Sequence, residues 1–203
     1  MHTPHGTLAQ LELSGDTSNL GMAVLGSSGN GKTFLTQNIV AAFAGNADIT
    51  VVDQKRDYQT LVNLLGGSTV ALEPGGASVN IFDLPEGEHE PDDAHRLHPL
   101  AVSQELEDLE AVRGILNNIS LYFLGQLSRG QVQGVCSLIG LDSSLFDTVS
   151  HLARGQYLTV RRTAVGALEG EVLELLSSRL HYQTFTSTPQ EVAVREAGLA
   201  RAP

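Results

Sequence analysis

Eight consecutive residues combine glycine, small polar side chains and a lysine at a spacing that can bind phosphate groups. They are Gly26, Ser27, Ser28, Gly29, Asn30, Gly31, Lys32 and Thr33. The glycines let the backbone approach a phosphate closely, so that several N–H groups can converge on it. The lysine can reach the β- and γ-phosphates, and the threonine hydroxyl can bind Mg²⁺. The pattern predicts a P-loop that binds ATP together with Mg²⁺.

The residues around this loop favour the same interpretation. An apolar run at 22–25 predicts a buried strand that ends at the loop. A helix is predicted from Lys32 to about residue 44, because Leu35, Ile39 and Phe43 recur every four residues and give it one apolar face. A helix N-terminus adds its positive dipole end to a phosphate site. The alternative is a glycine-rich turn with a solvent-facing lysine.

Two further residues are candidates for the chemistry of phosphoryl transfer. Asp53 follows a β-branched run at 49–52 that predicts a second buried strand, and it could hold magnesium through water. The alternative is that Asp53 caps the next turn. Gln104 follows a predicted strand at 99–103 and could sense the γ-phosphate or orient water, the alternative being a surface glutamine that opens a helix. The chain has no Asp-Glu pair directly after an apolar run.

The P-loop, Asp53 and Gln104 can act together only if the other strands and helices place them at one site. Strand-like and helix-like segments alternate, which predicts an α/β fold with a mainly parallel sheet and helices on both of its faces. Residues 85–98 are acidic and polar and predict a loop, or the junction of a missing segment, within one P-loop ATPase domain spanning 1–203. The other predicted strands are 8–13, 69–72, 79–82, 119–124, 157–161 and 172–176. The other predicted helices are 61–65, a segment from about 106, 128–139, 142–153 and 188–199.

Composition and charge limit the classes of function. The 203 residues carry a formal net charge of −11, with lysine only at positions 32 and 55, so direct nucleic-acid binding by this chain is not expected. The single cysteine, Cys136, excludes an internal disulfide and favours a reducing, cytoplasmic setting. No apolar run is long enough to cross a bilayer, so contact with the inner membrane is expected only through partner proteins.

Several segments in the same order resemble one known family. The run 19–26 leading into the P-loop is similar to the conjugative ATPases of type IV secretion systems, which belong to the FtsK/HerA-like motor ATPases. Further similar segments lie at 51–58, 65–67, 79–84, 101–104, 106–109, 152–157 and 186–191. The resemblance implies a RecA-like P-loop core, assembly into a hexameric homo-oligomer, and secretion or conjugation machinery as partners. It also implies that Gln104 is the sensor glutamine.

The chain departs from that family between its 79–84 segment and Gln104. The family has a helical insertion and an Asp-Glu magnesium strand there, whereas this chain has only about residues 85–97. The family's large amino-terminal domain also has no counterpart, so we expect a truncated ATPase core with weak or absent hydrolysis. Such motors complete their sites with an arginine from a neighbouring subunit, and the sequence does not select among the candidates. These are Arg129, Arg154, Arg161 and Arg162.

The sequence leaves two other classes of function open. A P-loop without the magnesium strand could bind nucleotide without turnover and serve as an assembly or interaction module. The segment 127–131 resembles the signature loop of ABC transporter ATPases, although no Asp-Glu strand follows it. In the alternative interpretation of that segment, Ser128 caps an ordinary helix.

Overall fold

The computed structural model of this chain describes residues 21–47, 49–53, 55–71, 100–103, 119–163, 166–178, 182, 184–185 and 192–193. These residues fall into two compact units. The first comprises the described residues up to Lys32 and those from Leu100 to Leu176, and the second comprises the described residues from Thr33 to 71 and from Ser177 onward. Each unit is described in turn. None of the described helices combines the length and the apolar composition needed to span a membrane.

A five-stranded sheet forms the first unit. Its strands, in chain order, are β1 (Gly21–Leu25), β2 (Leu100–Ser103), β3 (Ile119–Leu124), β4 (Gln156–Arg162) and β5 (Leu168–Glu174). They are arranged in the order β2-β1-β3-β4-β5. The strand β1 pairs in parallel with both β2 and β3, whereas the β3–β4 and β4–β5 pairs are antiparallel.

The α/β class predicted from the sequence is confirmed, but the sheet is mixed rather than confirmed as mainly parallel. The antiparallel β4–β5 pair has a local cause. Between β4 and β5 the backbone N–H of Thr163 donates to the Ala167 carbonyl at 2.8 Å, which closes a tight turn. A connection this short joins neighbouring strands as a hairpin, because a parallel crossover needs a dozen or more residues.

The helices of the first unit cover one face of this sheet. They are α3 (Arg129–Ile139) and α4 (Phe146–Ser150), with a 3₁₀ turn at Ser143–Leu145 between them. Buried side chains of α3 recur on one face and pack with those of β1, β3 and β4 in a single hydrophobic cluster. The α3 members of this cluster are Val132, Val135, Cys136 and Ile139. Gly140 ends α3 in the left-handed conformation, with φ of 79°.

Most of α1 (Lys32–Phe43) and all of α2 (Gln59–Leu64) belong to the second unit. On α1, Leu35 and Ile39 are buried and Phe43 is half-buried, as the sequence periodicity predicts. Tilted aromatic contacts join Phe34 to Tyr182 and to Phe185, with ring centroids 5.7 and 6.4 Å apart. Tyr182 and Phe185 therefore contact α1 within this unit.

The prediction of a buried strand at 49–52 is wrong. Residues 49–53 have no strand geometry, and Val52 and Ile49 are 73% and 39% exposed. Residues 69–71, within the predicted strand at 69–72, are not in a strand either. β-branched residues favour strands because they pack against neighbouring strands, so their preference alone cannot create a strand that has no pairing partner.

The other predicted elements that fall within the described residues have the predicted type. The strand at 119–124 is confirmed at both ends, and those at 22–25, 99–103 and 157–161 differ by one residue at a boundary. The strand predicted at 172–176 begins four residues earlier and ends two residues earlier than predicted. The helices predicted from residues 61 and 128 are confirmed within two residues of their starts, and the one at 142–153 is divided into the 3₁₀ turn and α4. The predicted strands at 8–13 and 79–82, the loop at 85–98 and the helix from about 106 lie outside the described residues, as does most of the helix predicted at 188–199.

Candidate nucleotide-binding site

The predicted P-loop lies between β1 and α1. β1 ends at Leu25 and α1 begins at Lys32, so the loop occupies the six residues between a buried strand and a helix N-terminus. Two of its glycines have left-handed backbone conformations, with φ of 83° at Gly29 and 85° at Gly31. Non-glycine residues rarely adopt this conformation, because their Cβ approaches the following carbonyl oxygen. The loop therefore depends on glycine at these two positions.

The lysine of the motif is buried against the start of the loop. Its Nζ donates hydrogen bonds to the carbonyl oxygens of Gly26 and Ser27, at 2.7 and 2.8 Å, and Lys32 is only 7% exposed. The alternative of a solvent-facing lysine is therefore wrong. A buried ammonium is stable only where acceptors or negative charge surround it. The fold thus holds one positive charge inside the loop.

The carbonyl oxygen of Gln126, two residues after the end of β3, supports the loop from one side. It accepts hydrogen bonds from Ser27 N at 2.9 Å, from Ser27 Oγ at 2.8 Å and from Asn30 Nδ2 at 2.8 Å. The preceding residue, Gly125, donates its N–H to the Leu25 carbonyl at 2.7 Å. A Cβ on Gly26 would lie 3.4 Å from the Gly125 Cα, so the two backbones are close together. These contacts fix the first half of the loop against the end of β3.

Tyr157, on β4, braces the second half of the loop. Its hydroxyl donates a 3.0 Å hydrogen bond to the carbonyl oxygen of Asn30. A Cβ on Gly31 would lie 3.3 Å from the same hydroxyl oxygen. The ring of Tyr157 is fully buried and meets the ring of Phe123 edge to face, with centroids 6.5 Å apart. Burial raises the pKa of the Tyr157 hydroxyl, so it remains a protonated donor at neutral pH.

Sequence reasoning did not identify Gly125, Gln126 or Tyr157 as part of the site. They lie 99, 99 and 127 residues from their loop partners Gly26, Ser27 and Asn30. The one signal in the sequence is local: Gly125 and Gln126 directly follow the apolar run 119–124. To predict their contacts with the loop, one would need to know that β1 pairs with β3 and that β3 pairs with β4, which the strand pattern does not reveal.

Asp53, the candidate magnesium residue, caps the turn that follows it. Its Oδ1 accepts the N–H of Lys55 and its Oδ2 accepts the N–H of Tyr58, both at 2.9 Å. Arg56, within this turn, has φ of 62°, in the left-handed region. Both carboxylate oxygens therefore bind backbone N–H groups. The turn-capping role is what the structure shows, and a role in holding Mg²⁺ stays a prediction.

The capped turn is attached to α1 within the second unit. Gln37 Nε2 donates to the Asp57 carbonyl at 2.7 Å, and the hydroxyls of Thr36 and Tyr58 share a short hydrogen bond. Thr36 and Gln37 are both buried. Burial and the Asp53 charge raise the pKa of the Asp57 carboxyl, while burial raises the pKa of the Tyr58 hydroxyl against the effect of its bond to Thr36.

The other predicted site residues are placed only in part. Thr33 is half-buried in the first turn of α1, where its carbonyl oxygen accepts the Thr36 hydroxyl at 3.0 Å. Gln104 lies outside the described residues, but Ser103 before it pairs with Leu25, the last residue of β1. In the part of the chain that the structure describes, no cluster of three or more histidine, cysteine, aspartate or glutamate side chains forms a metal site.

The four candidate arginines lie at opposite ends of the sheet. Arg161 and Arg162 are in the carboxyl-terminal half of β4, where Arg161 pairs with Leu121 near the start of β3. Arg154 precedes β4 and Arg129 is the first residue of α3, directly after the loop that follows β3. The parallel strands β1 and β3 have their carboxyl ends together, so Arg129 and Arg154 lie toward the P-loop end of the sheet.

The segment 127–131, which resembles the ABC signature loop, forms an ordinary helix start. Ser128 is the N-cap of α3, and both its N–H and its hydroxyl donate to Gln131 Oε1, at 3.1 and 2.8 Å. Leu127 is buried in the hydrophobic cluster under the sheet. Three residues of the resemblance, Leu127, Ser128 and Gln131, are therefore used in capping and packing.

No known protein family, curated protein sequence or solved structure shows significant similarity to this chain.

Proposed function

We propose that this chain is the ATP-binding core of a motor ATPase that energises conjugative DNA transfer or type IV secretion. One observation carries the nucleotide-binding part of the proposal. A strand, a loop with two left-handed glycines and a helix follow one another, and the Lys32 ammonium is buried inside the loop. Phosphate groups are bound in proteins by this combination of backbone N–H groups, helix N-terminus and lysine.

The residues of the loop fit a triphosphate. The left-handed glycines turn the backbone so that successive N–H groups can point into the same concavity, which favours an anion. Lys32 would bind the phosphates together with these N–H groups, and the Thr33 hydroxyl would bind Mg²⁺. The hydrogen bonds that Gln126 and Tyr157 make with the loop hold its conformation before a nucleotide binds. Preorganised donors cost less free energy to order on binding.

The order of the strands supports a RecA-like core. β1 lies between two parallel neighbours, and Leu25 is in register with Ser103 on one side and Leu124 on the other. In open α/β sheets, ligands bind outside the carboxyl ends of the parallel strands. The strands β1, β2 and β3 therefore end at the edge of the sheet where a nucleotide is expected. This placement favours a sensing or water-orienting role for Gln104.

The motor role, the hexamer and the partner machinery are proposed from the family resemblance of the sequence. The charge of −11 is consistent with that role only if DNA is contacted mainly by other segments or subunits. Like charge also opposes self-association at low salt, so we expect assembly to require nucleotide, salt or partner proteins.

A nucleotide-binding assembly module without turnover is the second candidate function. The geometry of Asp53 favours it, because both carboxylate oxygens already bind backbone N–H groups of the turn. Phosphoryl transfer needs a carboxylate that supports the metal ion and a group that orients the nucleophile. Binding and turnover therefore have to be measured separately.

Calorimetric titration with Mg²⁺ and ATP tests the binding proposal, using the only two lysines of the chain. Lys32→Ala removes the buried cation and should weaken ATP binding at least tenfold, or about 1.4 kcal/mol. Lys55→Ala removes an exposed lysine and serves as the matched control, with the wild-type affinity expected. Equal affinity of the Lys32→Ala variant and the wild type would overturn the proposal.

A further inference from the structure

The amino-terminal end of β4 lies at the same end of the sheet as the P-loop. Leu158, near the start of β4, pairs with Leu124 at the end of β3, and Leu124 pairs with Leu25 at the end of β1. The turn that leads into β4 therefore comes close to the carboxyl ends of the parallel strands. The hydroxyl of Tyr157 makes a direct hydrogen bond to the carbonyl oxygen of Asn30 in the loop, which shows how close the two segments are.

Arg154 occupies a corner of that turn. The N–H of Gln156 donates to the Ala153 carbonyl at 3.0 Å, and Gly155 has φ of 84°. A left-handed glycine at the third position is characteristic of a type II β-turn, which places Arg154 at the second position. The Gln156 side chain closes the turn further by accepting the N–H of Ala153 at 3.0 Å. The backbone of Arg154 is thus held by two hydrogen bonds that do not involve its side chain.

The guanidinium of Arg154 is a cation that has no hydrogen-bond or ion-pair partner among the described residues. Arg154 is also exposed. Its positive charge nevertheless acts on the Tyr157 hydroxyl, where it lowers the pKa against the larger effect of burial. Because that hydroxyl touches the loop, the Arg154 charge lies within electrostatic range of the P-loop.

We propose that Arg154 is a second phosphate-binding cation, acting on the nucleotide held by the P-loop of its own subunit. This inference rests on the proposed function. Arg161 and Arg162 are excluded from such a role by their place in the carboxyl-terminal half of β4. Of the two arginines at the P-loop end, Arg154 is the one whose charge acts on a residue that braces the loop. In a chain of net charge −11, local positive charge is needed to attract a polyanion.

The experiment measures binding of Mg²⁺–ATP and of inorganic triphosphate at several salt concentrations. The variants are Arg154→Gln, which removes the charge, Arg154→Lys, which keeps it, and Arg161→Gln, which removes an equal charge from the far end of β4. Arg154→Gln should weaken binding of both ligands about fivefold and reduce the salt dependence of affinity, because a charge-assisted phosphate contact is lost. Arg154→Lys should recover part of the loss, and Arg161→Gln should bind as the wild type does.

Thermal unfolding of each variant separates binding from folding. If Arg154→Gln lowers both the affinity and the melting temperature, and Arg154→Lys recovers neither, then Arg154 has a structural role. That result would overturn the inference. Wild-type affinity in Arg154→Gln, while Lys32→Ala still binds poorly, would overturn it and leave the proposed function standing. Failure of the wild type to bind either ligand would overturn both.

Discussion

The hydroxyl of Tyr157 donates a hydrogen bond to the carbonyl oxygen of Asn30 at 3.0 Å, across a sequence separation of 127 residues. This contact joins the start of β4 to the middle of the P-loop. Since the ring of Tyr157 is fully buried, the position of its hydroxyl is fixed by the packing of the sheet. The conformation of the loop therefore depends on a strand that lies far away in the sequence.

Removing only this hydroxyl should weaken both the fold and the site. Tyr157→Phe leaves the buried Asn30 carbonyl without its donor, so we expect the free energy of unfolding to fall by about 1–2 kcal/mol. ATP affinity should also fall, since a less constrained loop must be ordered on binding. Urea denaturation and calorimetry measure the two effects. Tyr182→Phe removes a hydroxyl without touching the Tyr157–Asn30 bond and is the control; an equal effect of both variants would contradict the prediction.

The two left-handed glycines of the loop offer a matched comparison. Gly29→Ala and Gly31→Ala each place a Cβ on a backbone with φ near 83° or 85°, which should cost about 1–2 kcal/mol of stability. Only at Gly31 does the added Cβ meet a described neighbour, the Tyr157 hydroxyl at 3.3 Å. Gly31→Ala should therefore be the more destabilising in urea denaturation.

The Tyr157→Phe background tests the origin of that difference. Without the hydroxyl, Gly31→Ala should cost about as much as Gly29→Ala. A difference that persists unchanged in this background would show that the Tyr157 contact is not its cause.

Asp53→Asn separates turn capping from magnesium binding. An asparagine side chain offers one acceptor oxygen where two backbone N–H groups need one each, so we expect a stability loss of about 1 kcal/mol with or without Mg²⁺. Loss of the Asp53 charge should also lower the pKa of the Asp57 carboxyl, although burial, the larger cause, will keep that pKa raised. Denaturation and an NMR titration of Asp57 measure these effects. A stability loss seen only with Mg²⁺ present would contradict the capping assignment and favour the metal.

ATP hydrolysis by this chain alone is expected to be weak or absent. Positioning and charge stabilisation supply nearly all of the catalysis in phosphoryl transfer, and no Asp-Glu strand is recognisable in the sequence. The test is phosphate release with Mg²⁺ and ATP, compared with the Lys32→Ala variant. Turnover of roughly 1 per second or faster that is lost in Lys32→Ala would show that the chain is a competent ATPase.

Local sequence was enough to determine the elements that adjoin the P-loop. The apolar run before Gly26, the glycine spacing and the helical periodicity after Lys32 each depend on neighbouring residues alone, and β1, the loop and α1 follow as predicted. The strand at 119–124 was predicted at both ends for the same reason. Likewise, the turn-capping alternative for Asp53 could be stated from the sequence because Asx turns are local.

Only the tertiary structure decided which strands are neighbours and which side chains support the loop. The exposure of Val52 shows that a strong local preference for a strand does not ensure a place in a sheet. The braces from Gln126 and Tyr157 exist because β1 pairs with β3 and β3 with β4. Such pairings depend on the burial of side chains from distant segments against one another. No short stretch of sequence contains both sides of such a contact, so local sequence cannot determine the pairing.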